Sequence, residues 1–445
     1  MFKHVLISML LSVSVSAMAA EIPMGIQDQL KASLKVEKYK LDNGLTVILH
    51  EDHTIPMVAY HQWFRVGSHH EKVGQTGLAH FFEHMVFKGT EKYPGSEYEG
   101  LINGSGGANN AFTSRDYTGY YTLIPTEHLE TIIDIEADRM VNLIFDQNEI
   151  DKERGAVKNE RLMRIDNSPG GKLYTMLYKT VFKTSPYRWP IIGYMKDLNA
   201  ASMDNFKEFY RTYYAPNNAV VVVSGSFSSS KVKSWIKEYY KDLKPIKLPE
   251  TKFAKEPDQK SRRVKTHRMD LQAARMVLAY KSVDTYSDDE YALSILSDVL
   301  AGGQTSRLYR KLVRNKQLLT SVSAGQSGNK LEGIFSVWAN LRPGASRQAV
   351  VDTINAEISK LQKKDITDAE LERAKNSVML GYTRALKSAA GKARILAYSE
   401  IYYEDPTAFF KDLDKYAAVT KAEVKRVAKK YLKRSRQSSV AVVPK

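Results

Sequence analysis

The chain has 445 residues, of which 43% are hydrophobic, enough for two domains that each bury a sizeable core. It contains no cysteine, which excludes disulfides and thiolate metal ligands and leaves His, Asp and Glu to build any catalytic metal site. Lys and Arg number 66 against 50 Asp and Glu, for a net charge of +16; no nucleic-acid motif accompanies it, so the charge speaks to solubility and non-specific attraction only.

The chain opens on Lys3, an apolar run from Val5 to Val15 and the small-x-small sequence Ala17-Met18-Ala19. That pattern reads as a secretory signal over residues 1–19, too short for a stable membrane span. No later stretch has the length and apolarity of a transmembrane helix, so the expected mature chain, of net charge +15, is exported, to the periplasm or the medium. Leu45 to Leu49 and Met57 to Phe64 read as strands separated by a turn-rich loop.

His80-Phe81-Phe82-Glu83-His84 follows. On a helix, residues four apart share a face, so His80 and His84 can offer two imidazole nitrogens to one metal ion, with Glu83 beside them. Two neutral nitrogens and a later carboxylate suit catalytic zinc, and a further carboxylate can take a proton from water. Ser96-x-x-Glu99 reads as a capping box, and Gly106 to Thr113 as a Gly-rich turn feeding a strand. Tyr120 to Pro125 alternates as a strand closed by proline, with a helix running on through Met140. Asp146 to Arg164 is helical by pattern and capped by Asp146; Glu153 and Glu160, two turns apart, face the same way, and by spacing either can be the third ligand. The remaining histidines, among them His50, His53, His61, His69 and His70, read as surface or packing residues.

The second half repeats the first. Ser336 to Pro343 restates the strand ending at Pro125, and the helix from Arg347 to Leu361 restates the one after it; the two prolines are 218 positions apart. Ser202, which caps a helix leading to the strand Ala219 to Ser224, stands 218 positions before Thr420, which caps a helix leading to Val440–Val443. One long offset indicates duplication of a whole domain. The expected division is a first domain at 20–240, a Lys-, Pro- and Glu-rich linker at 241–262 and a second domain at 263–445. At the same offset, residues 80, 83 and 84 correspond to Asp298, Ala301 and Gly302: the second half keeps the helix and lacks the pentad. The helix from Thr420, with its Thr420-x-x-Glu423 box, carries much of the basic charge, but Val424, Val427, Ala428 and Tyr431 give it an inward face, and the charges read as solvated.

The pentad with its flanks, Gly77 to Thr90, the Glu seven residues before Glu160, Asn110-Ala111-Phe112-Thr113 and Tyr213 to Asn218 together resemble the pitrilysin/insulinase family of zinc peptidases, in its bacterial, processing-peptidase-like branch. The His-x-x-Glu-His order is that family's inverted zinc motif. The resemblance spans essentially the whole mature chain. It implies an α+β fold of two homologous mixed α/β domains forming half of a clam-shell chamber. It implies one zinc ion per chain held by His80, His84 and Glu160, with Glu83 as general base and Glu153 orienting a ligand. It implies an edge strand at Asn110, Ala111 and Phe112 that pairs with an extended peptide, and a substrate contact from Arg314. The family's partner tyrosine is missing: Thr320 stands in its place. That departure points to pairing with a homologous subunit lacking the zinc motif, or otherwise with a second copy. The implied activity is hydrolysis of peptides or unfolded segments; a non-catalytic zinc-binding scaffold or a peptide-holding subunit of the same fold is the alternative.

Overall fold

The computed structural model describes residues 34–445, so the leader expected at 1–19 lies outside the described residues. The first lobe runs β1 (Glu37–Lys40), β2 (Thr46–Glu51), β3 (Met57–Phe64), α1 (Leu78–Val86), α2 (Gly95–Gly104), β4 (Ala108–Thr113), β5 (Thr118–Pro125), α3 (Leu129–Arg139), α4 (Gln147–Arg161), α5 (Pro169–Val181), α6 (Met195–Ala200), α7 (Met203–Tyr213), β6 (Ala219–Gly225) and α8 (Ser229–Tyr240). The second runs β7 (Arg263–Met269), β8 (Arg275–Ser282), α9 (Asp289–Ala301), β9 (Leu319–Ser327), β10 (Gly333–Leu341), α10 (Arg347–Lys363), α11 (Asp368–Ala385), α12 (Ala389–Tyr403), α13 (Ala408–Ala418), α14 (Lys421–Tyr431) and β11 (Ser438–Pro444).

The two sheets share one order over five strands, and β1 is an addition at the edge of the first. Strands are ordered β1-β2-β6-β3-β5-β4 in one and β7-β11-β8-β10-β9 in the other. In each, a single parallel pair, β2 with β6 and β7 with β11, interrupts an otherwise antiparallel ladder. The central β6, Ala219–Gly225, is buried throughout, which is why it reads as an unbroken Val run rather than an alternation. The 218-residue offset is visible in the elements: α7 and α14 correspond end to end, and Ser202 and Thr420 both close reciprocal capping boxes. Thr367 closes a third. The box expected at Ser96 does not form; α2 starts after Pro94, whose fixed φ already suits a helix entry, and Ser96 lies inside the first turn.

Each lobe packs helices on one face of its sheet around its own apolar core. The other faces are covered by exchange. Helix α5 of the first lobe lies on β8 and β11 of the second, where Leu173, Leu177, Tyr178 and Val181 meet Val277, Ala279, Val440 and Val442. Its counterpart α12 lies on β3 and β6 of the first lobe. The segment at 241–262 between the lobes carries no helix or strand. It is not all exposed, however: Glu256 is buried and accepts from the backbone N–H groups of Lys183, Thr184 and Ser185. The basic helix α14 buries Val424, Val427 and Ala428 and sets Arg426 and Lys430 on Asp289, so its charge is partly neutralised within the fold.

Candidate metal centre

Helix α1 has nine residues, and six of them, Leu78, Ala79, Phe81, Phe82, Met85 and Val86, are buried. Phe82 alone sits among Phe145, Phe209, Tyr210 and Tyr214; a buried side chain of this size contributes roughly 1.5–3 kcal/mol. The polar stripe left over is His80, Glu83 and His84, at i, i+3 and i+4, and burial of the apolar face aims it away from the core. The start of the helix is fixed by two devices. Gly77 has φ +88°, and a Cβ there would lie 2.5 Å from the carbonyl oxygen of Ile192, so glycine is required. The buried Glu71 carboxyl accepts from the backbone N–H groups of Gly77 and Ala79, both at 2.9 Å, filling helix-end donors.

Helix α4 is capped by Asp146, which accepts from Asn148 and Glu149 N–H groups. It brings Glu153 and Glu160 to α1 and runs into a π-helical turn at Leu162–Asp166. His80 Nε2 lies 3.6 Å and His84 Nε2 3.4 Å from Glu160 Oε2, and one ligand atom from each of the three residues falls within 4.8 Å of the others. Ligand atoms around a tetrahedral ion with bonds of about 2.0–2.1 Å are separated by roughly 3.3–3.4 Å, close to these distances. Arg164 Nη1 holds Glu160 Oε1 at 2.6 Å. Glu160 Oε2 is left buried without a hydrogen-bond partner, facing the two imidazoles. The donor set of two nitrogens and one carboxylate oxygen fits zinc.

The spacing alone left Glu153 and Glu160 as alternatives; the structure separates them. Glu153 Oε2 lies 3.1 Å from His84 Nδ1, the far side of the ring from Glu160, and Lys88 holds its other oxygen at 2.5 Å. Burial keeps the His80 imidazole down at about 4, hence neutral. Burial also pulls on His84, but the hydrogen bond to Glu153 and the nearby Glu160 carboxylate outweigh it and raise this ring to about 9. A metal ion entering would displace that proton. The hydrogen bond from His84 holds Glu153 down at about 2. Burial raises Glu83 above the usual carboxylate range, against a hydrogen bond from Thr113 that lowers it.

Strand β4 is the outer edge of its sheet, bonded to β5 on one side only, and its residues are exposed or half-buried. Its alternation places Ala111 and Thr113 on the face of α1, where the Thr113 hydroxyl donates to Glu83 Oε2 at 2.5 Å. Phe112 points the other way, packing edge-on against Trp63 at 5.1 Å with the Arg394 guanidinium 5.3 Å from its ring. The Asn110 and Phe112 side chains therefore do not share the face turned to α1; what those residues offer there is main chain. Arg314 is exposed in a π-helical turn of the second lobe, and its side chain makes no hydrogen bond or ion pair with the described residues. Thr320 sits exposed on β9, its hydroxyl donating to the Asn340 carbonyl.

The sequence reading gave no role to Glu71, Thr113, Asp116 or Arg164. Arg164 follows Glu160 by four residues, a helical ion-pair spacing that signals it. Asp116 had no signal: it gathers His69 Nδ1 at 3.2 Å, Tyr402 OH at 2.8 Å, the Lys330 N–H at 2.9 Å and the Tyr187 hydroxyl, from both lobes. His50, His61 and His69 are buried, as packing residues are, and His53 is exposed.

Residues 46–193 match the family described as Insulinase (Peptidase family M16), and residues 200–378 match the Peptidase M16 inactive domain. The second match runs from the end of the first lobe into α11 of the second, the lobe that lacks the pentad. Zinc protease PqqE of Helicobacter pylori is 30% identical over 414 residues, 92% of this chain and 93% of that protein. An uncharacterized zinc protease of Bacillus subtilis, YmxG, is 29% identical over 361 residues, 80% of this chain and 86% of that protein. The crystal structure of a protease from Helicobacter pylori superposes with a TM-score of 0.88 at 30% identity, covering 92% of this chain and all of that one. An M16-like peptidase of Alicyclobacillus acidocaldarius shares the fold, with a TM-score of 0.83 at 22% identity over 93% of this chain and 99% of that one.

Duplicated mixed α/β lobes with an inverted His-x-x-Glu-His helix in the first define the two-domain M16-like fold. The chain belongs to the pitrilysin/insulinase family, peptidase family M16.

Proposed function

We propose that the chain is a zinc-dependent endopeptidase that cuts peptides or unfolded polypeptide segments. The observation that carries this reading is the convergence of His80 Nε2, His84 Nε2 and Glu160 Oε2. Those three residues would hold one zinc ion, which when bound supplies a Lewis acid that acidifies water and polarises a carbonyl. Glu83 takes the proton of the attacking water and returns it to the departing amine. Its raised pKa suits both halves of that task, since a base must also give the proton back. Glu153 fixes the His84 ring in the tautomer that leaves Nε2 free to ligate. The free edge of β4 receives the peptide as an added strand, main chain to main chain, with Asn110, Ala111 and Phe112 as the pairing residues.

The chain acts outside the cytoplasm on this reading, periplasmic or secreted. Arg314 and a tyrosine that Thr320 does not supply would complete the substrate contacts, so the working form is a pair with a homologous subunit lacking the zinc residues, or otherwise a homodimer. Among the described residues no helix is long and apolar enough to cross a membrane.

The test is hydrolysis of a quenched fluorescent, unstructured peptide. Glu83→Gln is expected to keep its zinc and lose turnover by a factor of about 10²–10⁴, the usual worth of a general base. Near-normal turnover in Glu83→Gln would sink the assignment. Zinc bound without turnover in the native chain, alone and with its homologous partner, would favour the peptide-holding role.

A further inference from the structure

The carboxylate beside the metal ligands makes one hydrogen bond among the described residues, and its donor stands on the substrate edge. Thr113 is the last residue of β4, and its hydroxyl donates to Glu83 Oε2 at 2.5 Å. None of the described residues hydrogen-bonds to the other oxygen. A base needs this asymmetry: one oxygen fixed, so that the second is presented at a set angle to water. Threonine suits the task, because a β-branched side chain is stiff at χ1 and transmits the position of its backbone to its hydroxyl. Glutamate, with three rotatable bonds, has no such stiffness of its own.

The strand carrying Thr113 is itself held at both ends of the relevant segment. On the far face Phe112 is fixed against Trp63 and under Arg394 of α12. Beyond Thr113 the turn is closed by Ser114, whose N–H donates to the Tyr117 carbonyl at 2.8 Å. Within it Asp116 is tied to Tyr402 and Lys330 of the second lobe. A shift of β4 on pairing with a peptide, or of one lobe against the other, therefore reaches Glu83 through one hydroxyl.

We infer that Thr113 is a positioning residue for Glu83, so that the strand that receives the peptide also sets the orientation of the base. The inference rests on Glu83 being that base. It assigns Thr113 an effect on turnover rather than on peptide binding, because β4 pairs through its main chain, which a side-chain change leaves intact.

The experiment compares Thr113→Val, which has the shape of threonine without the hydroxyl, with Thr113→Ser, which restores it, in the full zinc-loaded chain. For Thr113→Val, kcat is expected to fall at least tenfold, with KM within twofold and zinc content unchanged. Thr113→Ser is expected to return to within about threefold of the native kcat. A second readout needs no turnover. In the chain labelled with 13C at glutamate carboxylates, the Glu83 resonance, assigned by its loss in Glu83→Gln, is expected to move in Thr113→Val and to stay in place in Thr113→Ser. An unmoved resonance or a native kcat in Thr113→Val overturns the inference. So does a loss shared equally by the serine and valine variants, or one confined to KM. Turnover surviving in Glu83→Gln is a different failure, since it removes the base itself.

Discussion

His84 is gripped from two sides, by Glu160 at Nε2 and by Glu153 at Nδ1, and the two carboxylates have different work. On the proposed ligand set, losing Glu160 would remove a ligand atom, whereas losing Glu153 would leave all three in place and free only the ring that one of them belongs to. Glu153→Gln is therefore expected to weaken zinc binding by about 10- to 100-fold, measured by competition with a chromophoric chelator. Glu160→Gln should lower zinc content outright. Equal losses in both variants would mean that Glu153 ligates the ion itself. The pentad was legible in the sequence because helical spacing is local: residues 80, 83 and 84 share a face wherever the helix goes. Spacing left the proposed third ligand as a pair of candidates, since 153 and 160 also share a face; the family resemblance favoured Glu160, and packing sets Glu160 beside the imidazole Nε2 atoms.

At the scale of elements, the second lobe shows what a helix end gains from a tertiary partner. Glu370 closes the capping box of α11 and also receives the Arg307 guanidinium through two bonds of 2.7 Å. Those bonds hold its carboxyl down at about 2, against roughly 4.3 in an unfolded chain. A depressed folded pKa stabilises fully above the unfolded value and is lost as pH falls through the folded one. The contribution should therefore be intact above about pH 4.5 and fade towards pH 2. Arg307→Ala is expected to cost about 1–3 kcal/mol near pH 7 and to flatten the acid limb of a urea-denaturation series between pH 4.5 and 2. An acid limb as steep as that of the native chain would show that the pair is not its cause. The box at Thr420 was readable from four consecutive residues, and Thr367 with Glu370 carries the same pattern. Ser96 has the same four-residue pattern and forms no box, because Pro94 begins the helix two residues earlier.

On the scale of the whole molecule, the exchange of α5 and α12 joins two lobes that the sequence presents as successive domains. Glu400 of α12 is buried, forms an ion pair with Lys38 at 2.7 Å and accepts from Arg65 at 3.4 Å, both of the first lobe; Lys392, near the start of the same helix, pairs with Asp52 at 2.5 Å. Each lobe would expose the outer face of its sheet without the other's helix. Residues 34–240 expressed alone are thus expected to aggregate, whereas co-expression with 241–445 yields a soluble complex, and the intact chain unfolds in one calorimetric transition. Two separated transitions, or a monodisperse first half, would contradict that coupling.

The sequence by itself determined the local pieces: the strands, the capped helices, the duplication at an offset of 218 and the polar stripe of α1. All of these rest on periodicity within one element or on comparison of the chain with itself. Only the tertiary structure decided how the pieces meet. Glu160 faces the Nε2 atoms and Glu153 the Nδ1, Thr113 holds Glu83 across a sheet edge, and α5 and α12 trade lobes. Each of these depends on residues 30 to more than 200 positions apart brought together by burial. Burial of an apolar face fixes where a helix lies without leaving a mark in the polar residues it carries.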